Sequence, residues 1–291
     1  MSTHLSLVER RALLGAAGIG ALAAMSKAGG GPLNPPGGAV APTGRTLDEV
    51  YNKIATPPAV GGYDGRIPIA GGTTPVTISA PGTYVLTGPL SVNALAPALT
   101  ISAGNVSVDL NGQVVGNNFN NLGVFVNEFS RNIVVRNGQF SGCLYGVFVP
   151  DTSWGVLLED MLFYTPKRAG IVTGGKSVRI RRCTVADLGG GFAPDGLPYT
   201  GINCTGNMTT IEECVVSKFN SNGFPIDPSQ VHGIKVSGIA NVVERCTVLN
   251  ETGLGGNGIS MSGSGTYRNN CVVNLTTKYN TAGMLDGGGN V

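Results

Sequence analysis

The chain has 291 residues, of which 12% are charged, and a formal net charge of +2, so its overall electrostatics give it no pull toward nucleic acid. Glycine is abundant at 46 residues and the mean hydropathy is +0.16, a composition that suits many short strands joined by tight turns and excludes a largely disordered chain. Any partner must be recognised by local sites rather than by bulk charge.

The first residues include Glu9-Arg10-Arg11-Ala12-Leu13-Leu14-Gly15, then an apolar run to Met25, then Ser26-Lys27-Ala28. This resembles a bacterial twin-arginine export signal over residues 1–28, with small residues where a signal peptidase cuts. An apolar stretch of about thirteen residues is short for a bilayer, so cleavage after Ala28 is expected, leaving no transmembrane span; an uncleaved anchor is the alternative. The resemblance implies export to the periplasm, the cell surface or the medium. It also implies folding in the reducing cytoplasm, which argues against an obligatory disulfide framework among the six cysteines.

Residues 29–45, with Gly29-Gly30-Gly31-Pro32 and Asn34-Pro35-Pro36-Gly37-Gly38, read as a linker. Residues 46–69 read as a capping helix and lead-in. Thr46 and Glu49 form a capping box, and Leu47, Val50, Tyr51 and Ile54 make one apolar stripe. Its expected task is to cover the open N-terminal end of the strand-rich region; self-association through helix 46–54 is the alternative.

From Val76 onward short apolar runs alternate with turn signals: Val76-Thr77-Ile78, Tyr84-Val85-Leu86, Leu99-Thr100-Ile101, and Val106-Ser107-Val108-Asp109-Leu110-Asn111-Gly112. The repeat then becomes explicit. Gly170-Ile171, Gly201-Ile202, Gly233-Ile234 and Gly258-Ile259 each lead, thirteen residues after the glycine, to Cys183, Cys214, Cys246 and Cys271. Looser copies begin at Gly123-Val124, Gly146-Val147 and Gly283-Met284, so successive glycines are separated by 23, 24, 31, 32, 25 and 25 residues, the length of one solenoid coil with insertions in two.

With the Thr77-Ile78-Ser79-Ala80-Pro81-Gly82-Thr83-Tyr84-Val85-Leu86 and Val108-Asp109-Leu110-Asn111-Gly112 stretches, this pattern resembles the pectin-lyase-like proteins over residues 70–291. The resemblance implies an all-β fold, a single-stranded right-handed parallel β-helix with a short N-terminal capping α-helix. That superfamily includes polysaccharide lyases, glycoside hydrolases, esterases, adhesins and proteins without catalysis, so it does not by itself assign a reaction.

Aligned positions on neighbouring coils stand about 4.8 Å apart and form columns. The repeated cysteines then read as buried thiols packing as small apolar groups, since their spacing is a coil length and not a metal-site spacing; Cys143 and Cys204 read as core residues too. Two charged columns precede the cysteines. One holds Arg136, Glu159, Arg181, Glu212, Glu244 and Asn269; the other holds Asn137, Asp160, Arg182, Glu213, Arg245 and Asn270. Cross-coil ion pairing on a solvated face, at about a few tenths of a kcal/mol per pair, accounts for them without catalysis by Glu212 and Glu213.

The coils starting at Gly170 and Gly201 owe their extra length to loops after the cysteine. These loops share a Gly-Phe-x-x-Asp pattern, Gly191-Phe192-Ala193-Pro194-Asp195 and Gly223-Phe224-Pro225-Ile226-Asp227. Stacked loops bring Asp195 and Asp227 together, and two close carboxylates either share a proton or bind a cation, with Ca²⁺ the expected ion. Asp195 and Asp227 are therefore the candidate acid, base or calcium ligands, with His232 and Lys235 as catalytic helpers. Phe192, Tyr199, Phe224, Lys218 and Gln230 are the candidate substrate contacts. The run Val231-His232-Gly233-Ile234-Lys235 faintly resembles the His-Gly motif of β-helical polygalacturonases, whose Asn-Thr-Asp and Asp-Asp motifs are absent. Loops that merely plug the core edge and cap turns are the structural alternative. Lys167, Arg168, Lys176 and Arg179 form a further candidate surface, basic in character.

The expected partner is a polysaccharide or glycan, bound and, if cleaved, cleaved by lyase or hydrolase chemistry. A non-enzymatic adhesive or assembly module, self-associating through helix 46–54 or an open C-terminal coil, is the alternative.

Overall fold

The computed structural model describes residues 65–117, 121–188, 198–219, 230–251 and 255–291. All of these belong to the second of the chain's two compact units, Pro57–Val291. The export signal, the linker and the capping helix lie outside the described residues.

The described residues form 23 strands and no helix, every strand pairing in parallel with its counterpart one coil away. Three ladders result. Ladder I carries the Gly-Ile repeat and stacks Leu99, Val124, Val147, Ile171, Ile202, Ile234 and Ile259. Ladder II stacks Val108, Val135, Leu158, Ile180, Ile211 and Val243. Ladder III stacks Val115, Phe140, Phe163, Val185, Val216, Val248 and Val272. All these side chains are buried, so the core is a thin apolar rod shared by every coil. The fold is a parallel β-helix, as the repeat spacing predicts.

Branched aliphatic residues suit columns of this kind, because each packs on its equivalents above and below while the alternate position faces solvent. Phe140 and Phe163 replace the aliphatics on two successive rungs of ladder III and stack with centroids 4.7 Å apart. The leading glycines serve close approach. A β-carbon on Gly146, Gly201 or Gly233 would lie 2.2, 2.4 or 2.3 Å from Phe163, Val216 or Val248 respectively, across the interior.

The corner from ladder II to ladder III turns on one left-handed residue per coil: Asn137, Asp160, Arg182, Glu213, Arg245 and Asn269, with φ between 51° and 57°. At this corner the cysteines turn inward. The Sγ atoms of Cys183, Cys214 and Cys246 lie 3.7 to 3.8 Å from the carbonyls of Leu158, Ile180 and Ile211 on the coil before. All six cysteines are free thiols, and burial pushes Cys143 up to about 11.

Three expectations need correction. The last coil is offset by one residue, because Glu244 pairs with Arg268, and Asn269 takes the left-handed corner. Asn270 therefore takes the place of the column cysteine and is buried, its amide donating to Val243 O and accepting from Cys246 N, while Cys271 pairs with Thr247 and stands outside the cysteine column, because the register shifts earlier, between Gly238 and Asn241. The copy expected at Gly283-Met284 is displaced, since Tyr279 stacks on Ile259 after a short connection from ladder III. The charged face, lastly, is not fully solvated. Glu159, Glu212 and Glu244 are only 5 to 7% exposed beneath their arginines.

Those carboxylates form a chain of pairs. Arg181 and Arg182 reach Glu159; Arg179 and Arg245 reach Glu212 at 2.6 and 3.4 Å; Arg245 and Arg268 reach Glu244 at 2.9 and 2.6 Å. Burial raises the Glu244 carboxyl, and the hydrogen bond from Arg268 with the charge of Arg245 outweighs it and holds the group below its ordinary range. Removing a partner here strands a buried charge, a larger cost than that of a surface pair. Arg245 also bonds Glu213 at 3.1 Å, so Glu212 and Glu213 share one guanidinium and are structural, as expected.

At the C-terminal end the tail folds back: Val291 N donates to Asn270 O and Val272 N to Val291 O, both at 2.9 Å. The Tyr279 hydroxyl lies 2.9 Å from Asn270 O and 3.0 Å from Val291 O, and its ring stacks on Tyr267 at 5.6 Å. Val291 thus bonds to the side of Asn270 and Val272 away from the preceding coil.

Candidate functional site

The two long loops leave and return on paired rungs. Leu188 pairs with Phe219 where they depart from ladder III, and Tyr199 pairs with Val231 where they rejoin ladder I. Residues 189–197 and 220–229 themselves, with Phe192, Asp195, Phe224 and Asp227, lie outside the described residues. Asp195 and Asp227 each stand four residues before the paired returns, Tyr199 and Val231.

Beside those returns runs the outward column of ladder I: Phe125, Phe148, Val172, Asn203, Lys235 and Ser260, in register on six consecutive coils. Neighbouring strands are spaced at about 4.8 Å, so the column spans roughly 24 Å along the axis. Its ends differ in chemistry. Phe125, Phe148 and Tyr145 are half-buried and mutually packed, with centroids 5.9 and 6.2 Å apart. Asn203 and Lys235 are half-buried polar residues, Ser260 is buried, and Asn203 Oδ1 is buried with no hydrogen-bond partner among the described residues.

His232 stands three residues before Lys235 on the same strand, in register with Thr200 and Asn257, and its Nδ1 lies 3.1 Å from Ser260 Oγ. Desolvation, then the positive charge of Lys235, push its imidazolium pKa down to about 4, so the ring is neutral near pH 7. With Nδ1 engaged by the serine, Nε2 is the nitrogen left for a ligand. His232, Lys235 and Ser260 are thus brought together on ladder I.

The remaining expected contacts are more scattered. Tyr199 is half-buried against the core. Gln230 immediately precedes the strand Val231–Glu244. Lys218 lies on ladder III, exposed, with Nζ 4.0 Å from Glu251 Oε2. The basic surface expected from Lys167, Arg168, Lys176 and Arg179 does not form. Arg179 pairs with Glu212, Arg168 is buried, and Lys176 sits at a different turn from Lys167. Among the described residues no group of three His, Cys, Asp or Glu is placed to hold a metal ion, and no helix is long and apolar enough to cross a membrane.

The aromatic column, Asn203 and Ser260 went unpredicted although a signal existed. Each is the residue two places after a leading glycine, as in Gly146-Val147-Phe148 and Gly258-Ile259-Ser260.

No family model and no curated protein matches the chain. Among solved structures, it is similar to the Streptococcus pneumoniae surface protein and adhesin PfbA, at 11% identity and TM-score 0.45, covering 71% of this chain and 67% of that one. It is similar to the Dettilon tailspike protein at 12% identity and TM-score 0.42, covering 78% of this chain and 59% of that one. A GH87 alpha-1,3-glucanase catalytic unit from Streptomyces thermodiastaticus matches at 13% identity and TM-score 0.40, covering 89% of this chain and 69% of that one.

Proposed function

We propose that this chain binds a polysaccharide along the outward face of ladder I, and that the two long loops supply the groups that would cleave it. One observation carries the reading: the loops depart from and return to paired rungs, so Asp195 and Asp227 stand at the same distance from register partners Tyr199 and Val231. That supports their proximity, and with it a proton-sharing or Ca²⁺-binding pair. Phe125 and Phe148 give a sugar apolar surface, Asn203 and Lys235 give it hydrogen bonds, and neutral His232 gives it an acceptor or donor at Nε2.

Lyase or hydrolase chemistry rests on the Asp pair; the buried carboxylates of ladder II, Glu159, Glu212 and Glu244, are committed to arginines. Among the described residues the outward column of ladder I holds no carboxylate, which favours the alternative of an adhesive module without catalysis. Export through Arg10-Arg11 and a pectin-lyase-like ancestry fit either reading.

A polysaccharide array with product detection separates them. The Asp195→Asn/Asp227→Asn variant is expected to lose turnover and, if the pair holds Ca²⁺, the metal-dependent part of binding. Lys235→Ala with Phe148→Ala is expected to weaken binding itself. Binding and turnover unchanged in both variants would reject the site.

A further inference from the structure

Trp154, the only tryptophan in the sequence, opens the strand Trp154–Tyr164 at the edge where ladder I turns into ladder II, and is 51% exposed. A large aromatic ring left in water at a coil turn has no role in the core, which lies on the opposite side of the strand. Its neighbours along the column are both cations. Arg131 is its register partner on the coil before, with the guanidinium carbon 5.9 Å from the ring centroid, and Lys176 is its bridge partner on the coil after. Neither cation forms an ion pair among the described residues.

Two residues before Arg131, in the same turn, Phe129 is 71% exposed and holds a φ of 63°. The left-handed region is unusual for a bulky residue, and Phe129 combines it with an aromatic side chain left in solvent. Glu128 and Asp151 stand three residues before Arg131 and Trp154, earlier in the same turns, and neither pairs with the two cations among the described residues.

We propose that this edge is a second binding site, separate from the loop face, for an acidic glycan carrying carboxylate or sulfate groups. Trp154 offers the flat apolar surface on which the face of a pyranose ring stacks. Arg131 and Lys176, one coil to either side, are placed to meet anionic substituents, the guanidinium in a forked and the ammonium in a point-charge manner. Phe129 extends the apolar surface. A neutral glycan would leave both cations unmatched, and the site would then gain only the stacking.

Because Trp154 is the sole tryptophan, its emission reports this site directly. The full chain is titrated with polygalacturonate oligomers, with sulfated heparin fragments and with neutral dextran. The expected result is a saturable change in emission with at least one acidic polymer, weakened by added salt, and none with dextran. The two acidic arms identify the substituent. Arg131→Ala/Lys176→Ala should weaken the affinity at least about tenfold while keeping the circular dichroism of the parent. His232→Gln/Lys235→Ala, on the loop face, should leave the titration unchanged, so failure there and failure here are read separately. No emission change with either acidic polymer, an equal response to dextran, full affinity in the Arg131/Lys176 variant, or loss of response in the His232/Lys235 variant would each overturn the proposal.

Discussion

Gly201 faces Val216 across the interior of a single coil, and a β-carbon on the glycine would stand 2.4 Å from Val216 Cγ1 and 2.6 Å from the carbonyl oxygen of Gly233 on the next coil. One contact is to an atom of the packed core and the other to backbone, so neither can yield by a rotamer change. The repeated glycine is therefore a spacing device that lets ladder I press on ladder III.

Gly201→Ala should accordingly destabilise the β-helix by about 1–3 kcal/mol through overpacking, read as a lower midpoint in thermal or denaturant unfolding. Gly88→Ala is the control. Its β-carbon would meet only Gly71, at the ordinary distance of 3.6 Å, so a change within about 0.5 kcal/mol is expected. Equal losses in both variants would show that the close approach at Gly201 is not the cause, since the effect of Gly→Ala on unfolded-chain entropy is by itself stabilising.

Phe163 stacks on Phe140 and is fully buried. Phe163→Ala should cost about 3–5 kcal/mol, because the cavity cannot collapse between rungs fixed by hydrogen bonds above and below. Phe125→Ala, on the outward column, should cost far less, and should instead show in glycan binding.

Thiol reactivity offers a third check. Cys183, Cys204, Cys214 and Cys246 are buried, and burial raises the pKa of Cys204; Cys271 is half-buried. At pH 8 a thiol reagent should modify at most Cys271 in the folded chain, and all six cysteines once the chain is unfolded. Rapid modification of Cys214 in the folded state would contradict the corner packing.

Acid should weaken the fold through His232. Its folded pKa, about 4, lies below its ordinary value of 6.5, so between these limits the unfolded chain binds the proton more readily. The contribution of the neutral imidazole is present above pH 6.5 and is lost as the pH falls toward 4. Denaturation midpoints recorded across that window should fall more steeply for the parent than for His232→Gln. Superimposed curves would mean that the imidazole is as well hydrated folded as unfolded.

The stacking of coils was legible because periodicity survives in the letters. The glycine and cysteine columns, the alternating charges and the insertions after Cys183 and Cys214 all arise from equivalent positions meeting equivalent neighbours. The same logic failed at the last coil, where the register shift between Gly238 and Asn241 brings Cys271 opposite Thr247 rather than Cys246, and the early return at Tyr279 shortens the coil. It also misjudged solvation. Letters cannot say that arginines lie over Glu159, Glu212 and Glu244 closely enough to bury them.

The site divides along the same line. Sequence alone determined that two long loops are neighbours, that each carries Phe and Asp at matching places, and that His232 and Lys235 come after the second, since all of this is order and spacing along a repeat. Only the tertiary structure decided that His232 meets Ser260, that Phe125, Phe148, Asn203 and Lys235 share one outward column, and that Trp154 stands between Arg131 and Lys176. Those relationships depend on which way a side chain faces and what lies one coil away. In a solenoid, both are set by register and by the turns between ladders.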